Sequence, residues 1–236
     1  MAITNRYDFI MLFDVETGYG YITDVCLKRK IRNFVELAKE GESGYNILVK
    51  PDKALNTRFT EAYDEEQLEK GKKGKKADDV KKARDYMCRN YFDVRAFGAV
   101  MSTGDNPCGI VRGPVQITFA RSLSQINIED VTITRQARTT EDRQETGGTE
   151  MGRKSIIPYA LYRAEGYISA ALAQKVTGLS DDDVELLWDA IVNMFENDHS
   201  AARGKMCMRK LYIFKHDSTL GNCPSHVLFD KVEVSL

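Results

Sequence analysis

The period of the hydrophobic pattern changes several times along the chain, and each change marks an element. Tyr7 to Val15 (YDFIMLFDV) is a nearly continuous apolar run of strand length, which predicts a buried strand. Gly18 and Gly20 follow it and predict a turn. From Thr23 the period becomes helical, to about Glu40. Leu27, Ile31, Phe34, Val35 and Ala38 fall on one stripe, Thr23 and Asp24 suit the start, and Gly41 the end. Tyr45 to Val49 (YNILV) reads as a second short strand stopped by Pro51. Strand, helix, strand opens an α+β or α/β domain.

Residues 52–101 differ in character. Lys70-Gly71-Lys72-Lys73-Gly74-Lys75-Lys76 is a basic run broken by glycines and reads as a loop. A helix from about Asp78 to Tyr91 follows, so this stretch reads as a helical insertion between core strands. Strand character returns from Gly109 to Ala120, with a bend at Gly113-Pro114. Val131 and Ile133 then alternate with Thr132 and Thr134, and a polar, Gly-rich stretch runs from Thr139 to Thr149. Apolar character resumes at Ile156, which predicts a long projecting hairpin. Tyr167 to Val176 reads as a helix closed by Gly178. Ser180 and Asp183 open another helix, with Val184, Leu187, Trp188, Ile191 and Phe195 as its core stripe. Met208–His216 and Val227–Val234 read as two closing strands. The whole order fits an α+β, ferredoxin-like core decorated by a helical insertion and an arm.

Composition narrows the function classes. The 236 residues carry 34 Lys+Arg against 35 Asp+Glu, a net charge of -1, and 42% are hydrophobic. Such a chain can bury a proper core without disulfides or metals. Its balance excludes a protein that is basic all over but leaves room for a basic patch. No apolar run approaches the roughly 20 residues that cross a bilayer, and the start reads as no signal peptide. Five scattered cysteines without C-x-x-C read as reduced thiols of a cytoplasmic protein. The three histidines lack ligand spacing, so no metal or cofactor is expected.

Three segments carry candidate chemistry. Lys28, Arg29 and Arg32 share the first helix, where they suit either a phosphate-binding face or an ordinary solvated face. Met151, Arg153 and Lys154 follow the hairpin tip beside Gly147, Gly148 and Gly152. A wedge plus cations is how proteins part stacked bases, but a flexible surface hairpin has the same composition. Phe97-Gly98, Ser102 and Arg112-Gly113-Pro114 suit either a groove floor or core packing with a bulge. Residues 180–198 hold seven acids and no Lys or Arg, while 201–216 hold five bases and no acid. These blocks suit self-association through complementary faces, or a solvated helix beside a protected edge strand. No G-x-S-x-G, P-loop or H-E-x-x-H motif occurs. His216 with Tyr212 and Lys210 is the one candidate set for metal-free RNA cleavage by general acid and base.

Several segments together resemble one family: TDVCLKRKIRNF, FDVRAFGAVM, G-x-V-R-G-P-V-Q-I-T-F-A-R-S, M-G-R-K-x-x-x-P-Y-x-L-Y-R-A-E-G-Y-I-S, LLWDAIVNMFENDHSAARG and LYIFKHDSTLGN. They resemble the backbone subunit of the type I-C CRISPR surveillance complex (Cascade), in the RAMP superfamily. The resemblance implies a modified RRM-like palm (1–51, 102–125 and 166–236), helical fingers (52–101) and a β-hairpin thumb (126–165). It implies a non-catalytic crRNA-binding protein whose copies polymerise along the guide RNA, each thumb flipping out a nucleotide, so that the other bases pair with target DNA. The implied partners are further copies, a crRNA-processing subunit, large and small subunits, and a recruited helicase-nuclease. Carried onto this chain, Lys28, Arg29 and Arg32 would grip guide phosphates. Ser102, Arg112 and Gly113 would line the palm, and Met151, Arg153 and Lys154 would belong to the thumb. Lys72, Lys73, Lys75 and Lys76 would face target DNA. Members of that family usually carry a Gly/Asn/Asp/Pro-rich loop before E-T-G, whereas here Val15 runs straight into Glu16. One hypothesis this raises is that loops after Val15, before Met151 and after Leu236 are missing from this sequence; the residues leave it open. The alternatives from the residues themselves are a metal-free RNA endonuclease of related fold and a homo-oligomer that binds no nucleic acid.

Overall fold

The computed structural model describes residues 2–15, 19–71, 76–135, 150–201 and 203–234. The apolar run predicted as a strand is β1 (Tyr7–Val15), central in a six-stranded antiparallel sheet. The other strands are β2 (Tyr21–Ile22), β5 (Val115–Ile117), β6 (Ala120–Ser122), β9 (Ala160–Ile168) and β10 (Met208–Lys215), in the order β10-β1-β9-β6-β2, with β5 also on β9. With β5 and β6 taken as one interrupted strand, the four core strands lie in the order 4-1-3-2 of a ferredoxin-like fold. Two helices, α1 (Asp24–Ala38) and α6 (Asp181–Asn193), bring Leu27, Ile31, Val35, Val184, Leu187 and Ile191 to one core with Tyr162, Ala164 and Ile168 of β9. Both helices start where local chemistry directs. Thr23 Oγ1 accepts from the Cys26 amide at 3.3 Å, and Ser180 with Asp183 forms a reciprocal capping box.

Burial alternates along β9. Ala160, Tyr162, Ala164 and Ile168 face the helices, and Leu161, Arg163, Glu165 and Tyr167 face outward. One half of the outer face is covered by residues 225–234, not by the expected closing strand. Pro224 starts a short helix, α7 (Ser225–Phe229), whose Phe229 packs on Tyr167 and Phe214 at centroid distances of 5.6 and 6.3 Å. Arg163 donates to the carbonyls of Phe229 and Val232, the acceptors a strand would have offered a neighbour.

Two further expectations are corrected. Tyr45–Val49 is not a strand: it makes one isolated bridge, Asn46 to Tyr91, and the Leu48 and Val49 amides donate to the Asp93 carboxylate at 2.8 and 3.1 Å. The helix expected from Tyr167 starts only at α5 (Ala170–Leu172), because Tyr167 and Ile168 complete β9. It widens into one π turn (Ala173–Thr177) and ends at Gly178, whose φ is +75°.

The insertion has its own core. α2 (Leu55–Glu65) and α3 (Ala77–Asn90) pack Phe59, Tyr63, Ala83 and Met87 together. α4 (Phe92–Phe97) leads into a hairpin of β3 (Gly98–Met101) and β4 (Gly109–Arg112). Residues 98–112, which the expected boundary between 101 and 102 divides, are one hairpin whose Met101, Cys108 and Val111 join this second cluster.

All six residues of α4 are buried, and two of them tie the bodies together. Asp93 accepts from Arg32 Nε of α1 at 2.8 Å. Arg95 makes a bidentate pair with Asp183 of α6, at 2.8 and 2.7 Å, and its Nη1 donates to the Gly44, Cys88 and Arg89 carbonyls. The arm is the antiparallel hairpin β7 (Glu129–Arg135) and β8 (Glu150–Ile156); among the described residues these strands pair only with each other. Its expected tip, the turn at Gly18 and the junction at Val15–Glu16 fall on residues outside the description.

Candidate nucleic-acid interface

Helical spacing places Lys28 and Arg32 one turn apart, and both lie over the same aromatic ring. Lys28 Nζ stands 5.6 Å from the Phe97 centroid and the Arg32 guanidinium carbon 5.3 Å. They differ in exposure. Lys28 is half-buried and paired with Asp24 one turn earlier at 2.9 Å. Arg29 is also half-buried and donates to the Val49 carbonyl. Arg32 is buried, and the expectation that it is displayed beside the other two is corrected. The carboxylate of Asp93, 1% exposed, requires a counter-charge, and Arg32 supplies it. Lys30, on the opposite edge, pairs with Asp198.

Phe97 leads to the seam between palm and fingers. Gly98 has φ +78° and pairs with Arg112 across the hairpin. A Cβ on Gly98 would stand 2.4 Å from the Gly113 nitrogen, and one on Gly113 2.1 Å from the Phe97 carbonyl carbon. The two backbones therefore touch, and glycine at both positions permits it. Arg112 projects from this crossing with its side chain exposed. Lys28 is thus linked through the Phe97 ring to the crossing where Arg112 and Gly113 stand, with Phe97 serving as both core residue and shelf, while Arg29 is held one position along α1 at Val49. Ser102, exposed, lies past the other end of β3, roughly 13 Å from Arg112 along the strand at 3.3 Å per residue.

The remaining candidates stand elsewhere. On the arm, Arg153 is exposed opposite Thr132, Lys154 is half-buried opposite Val131, and the Met151 backbone pairs with Thr134. Lys76 is exposed at the start of α3, while Lys72, Lys73 and Lys75 lie outside the described residues.

The cleavage set is not assembled. His216 is 4% exposed, and its Nδ1 accepts from the Asn222 amide at 3.1 Å. Lys210 is six residues away on the same extended strand, roughly 20 Å at 3.3 Å per residue. Tyr212 packs in the cluster around Phe229. Among the described residues no group of three or more His, Cys, Asp or Glu is placed to hold a metal ion, and no helix is long and apolar enough to cross a membrane. The acidic block is partly internal, since Asp183 serves Arg95 and Asp198 serves Lys30 and Arg203.

Sequence reasoning missed the pairs of Asp93 and Arg95, whose alternation in an apolar hexapeptide is their only local signal. It also missed Tyr19, Tyr21 and Arg121. Arg121 stacks on both tyrosines, at 4.8 and 6.0 Å from their centroids. The signal was the period-two pattern Tyr19-Gly20-Tyr21, which reads equally as a turn.

The fold is similar to that of a chain in a "CRISPR RNA-guided surveillance complex, pre-nicking", with TM-score 0.51 and 13% identity over 88% of this chain and 77% of that one. Other matches are a chain of a "CRISPR RNA-guided surveillance complex" (TM-score 0.47, 12% identity, 88% and 68% covered) and one of a "Type III-B Cmr-beta bound to cognate target RNA" (0.45, 11%, 89% and 61%). No curated protein matches the sequence. The profile of the family described as "CRISPR-associated protein Cas7" matches residues 5–236, and the chain belongs to that family.

Proposed function

We propose that this protein is a non-catalytic backbone subunit that binds crRNA, polymerises along it and presents its bases to target DNA in a type I-C CRISPR surveillance complex. The observation that carries the proposal is the seam where Phe97 carries Lys28 beside the touching backbones of Gly98 and Gly113, with Arg112 projecting from the same crossing. Cations set around a backbone crossing fix a phosphodiester chain without reading its sequence. Arg153 and Lys154 on the arm supply a second set of contacts, and the role of contacting target DNA is assigned to Lys72, Lys73, Lys75 and Lys76. In this reading Arg32 acts by fixing the helix that carries Lys28, and Met151 is the apolar member of the arm set. Modest affinity per copy suffices, because successive copies on one strand add avidity. Further copies, a crRNA-processing subunit, large and small subunits and a recruited helicase-nuclease complete the proposed assembly, in the cytoplasm.

Mass photometry of the protein with guide RNAs of increasing length tests this. Complex mass should rise in steps of one subunit as the RNA lengthens. Masses that do not depend on RNA length defeat polymerisation. Cutting of labelled RNA in EDTA that is lost on His216→Ala defeats the non-catalytic assignment.

A further inference from the structure

The ferredoxin-like sheet has two outer halves, and only one is covered. Residues 225–234 close the half formed by β10, β1 and β9, with Arg163 clasping the carbonyls of Phe229 and Val232. The other half, over β9, β6 and β2, carries aromatic rings in the open. Tyr19, Tyr21 and Phe119 are 50%, 61% and 56% exposed.

The backbone explains why they stand together. Gly20 is buried, its amide donating to Ser122 Oγ at 2.8 Å and its carbonyl accepting from the Ser122 amide at 3.0 Å. A Cβ there would lie 2.4 Å from the Tyr162 hydroxyl. With Gly20 facing the core, Tyr19 and Tyr21 both face outward. On β6 Ala120 and Ser122 face the core, so Arg121 faces outward opposite Tyr21, on the same side as Phe119. Arg121 therefore links the tyrosine stack to a cavity of about 300 Å³ lined by Phe119, Leu123, Arg163 and Glu165.

We propose that this open half of the outer sheet face seats an unpaired base of a single-stranded nucleic acid. The proposal rests on the RNA-binding function above and assigns it a second contact, made to bases and not to phosphates. Of the three charges lining the cavity, Arg121 is engaged by the tyrosine rings, and the other two select for that. Arg163 and Glu165 are paired at 3.0 Å, so a phosphate would meet a carboxylate there, whereas a planar neutral base meets ring faces. The Glu165 carboxylate suits the exocyclic amine of a cytosine or adenine.

The test compares binding of a short single-stranded RNA, a DNA of the same sequence and abasic versions of both by fluorescence anisotropy. The wild type should prefer base-bearing strands by roughly tenfold per seated base. Phe119→Leu and Tyr21→Leu should each remove most of that preference without changing the salt slope, and Phe119→Tyr should retain it. The arm with the larger preference, RNA or DNA, identifies the source as guide or target. Equal wild-type binding of intact and abasic strands overturns the base seat alone, and a wild type that binds no strand overturns the function with it. Variants that keep the preference but change complex mass on RNA mark the patch as a contact between copies and overturn the proposal.

Discussion

Lys28 and Arg32 lie one turn apart on α1 over the same Phe97 ring, and neutralising them should have opposite consequences. Lys28→Ala with Arg29→Ala should weaken RNA binding, reduce the log–log salt slope by about 1.4 (0.7 per lost contact on a single strand) and leave the melting temperature nearly unchanged. Arg32→Ala should instead cost about 3–5 kcal/mol of stability, because it leaves the Asp93 carboxylate buried and unpaired. A melting curve for Arg32→Ala matching the wild type would remove that pair from the ties holding palm to fingers. The thiols separate in the same way. Burial pushes Cys88 up to about 11 and Cys108 up to about 12, whereas Cys26 is exposed. At pH 8 a thiol reagent should modify Cys26 within minutes and reach Cys88 and Cys108 only in denaturant, as read by mass spectrometry. Tyr63, in the same cluster, is likewise raised to about 12 by burial. All three are acids held neutral by the fold, so their contribution is complete below their ordinary values of 9.0 and 10.0 and is lost as pH rises through 11 and 12. The melting temperature should fall over that window, and a flat profile would show that the three groups ionise without opening the fingers.

Among the elements, those with a periodic or capping signal of their own were legible, β1 and β10 included, and those decided by a distant side chain were not. The α1 stripe, the capping box of α6 and the alternation of β7 each lie within a few consecutive residues. The run YNILV looked like a strand because its residues are apolar. Its amides are taken by Asp93, more than 40 residues away, and Ile47 and Leu48 fill two different cores. Val227–Val234 failed as a strand for the same reason, since Phe229 needs a helical turn to reach the outer face of the sheet. At the site, the residue types of α1 were legible, but the inward turn of Arg32 required a partner 61 residues distant. The seam makes its own demand. Gly113→Ala places a methyl against the Phe97 backbone and should cost about 3 kcal/mol or more, with RNA affinity falling as Arg112 is displaced. Gly152→Ala, where a Cβ meets nothing within 4 Å, is the matched control on the arm.

On the scale of the whole molecule, palm and fingers have separate cores but share α4. Arg95 and Asp183 join them by a bidentate pair, so Trp188 fluorescence in the palm and Cys88 labelling in the fingers should report one denaturation midpoint. Two midpoints would mean that the bodies unfold independently. The net charge of -1 also takes on meaning at this scale. Cations collect at the seam, on the arm and before α3, while several acids are spent on internal pairs, so the chain offers local positive surface without the self-repulsion of a uniformly basic protein. The order of the sheet bears finally on how a cell makes this protein. The buried residues of the second cluster all lie between 48 and 111, with Val176 packed against them, so that cluster is nearly complete before the sheet can close. β1 is synthesised well ahead of its two neighbours, residues 160–168 and 208–215. At roughly 5–20 residues per second, an apolar strand waits on the order of 8–30 s with both edges unpaired, and about 10–40 s for its second neighbour. The nascent chain thus carries an apolar segment unpaired while about 150 further residues are added, which makes ribosome-bound chaperones and slow elongation the conditions to vary when the protein is produced.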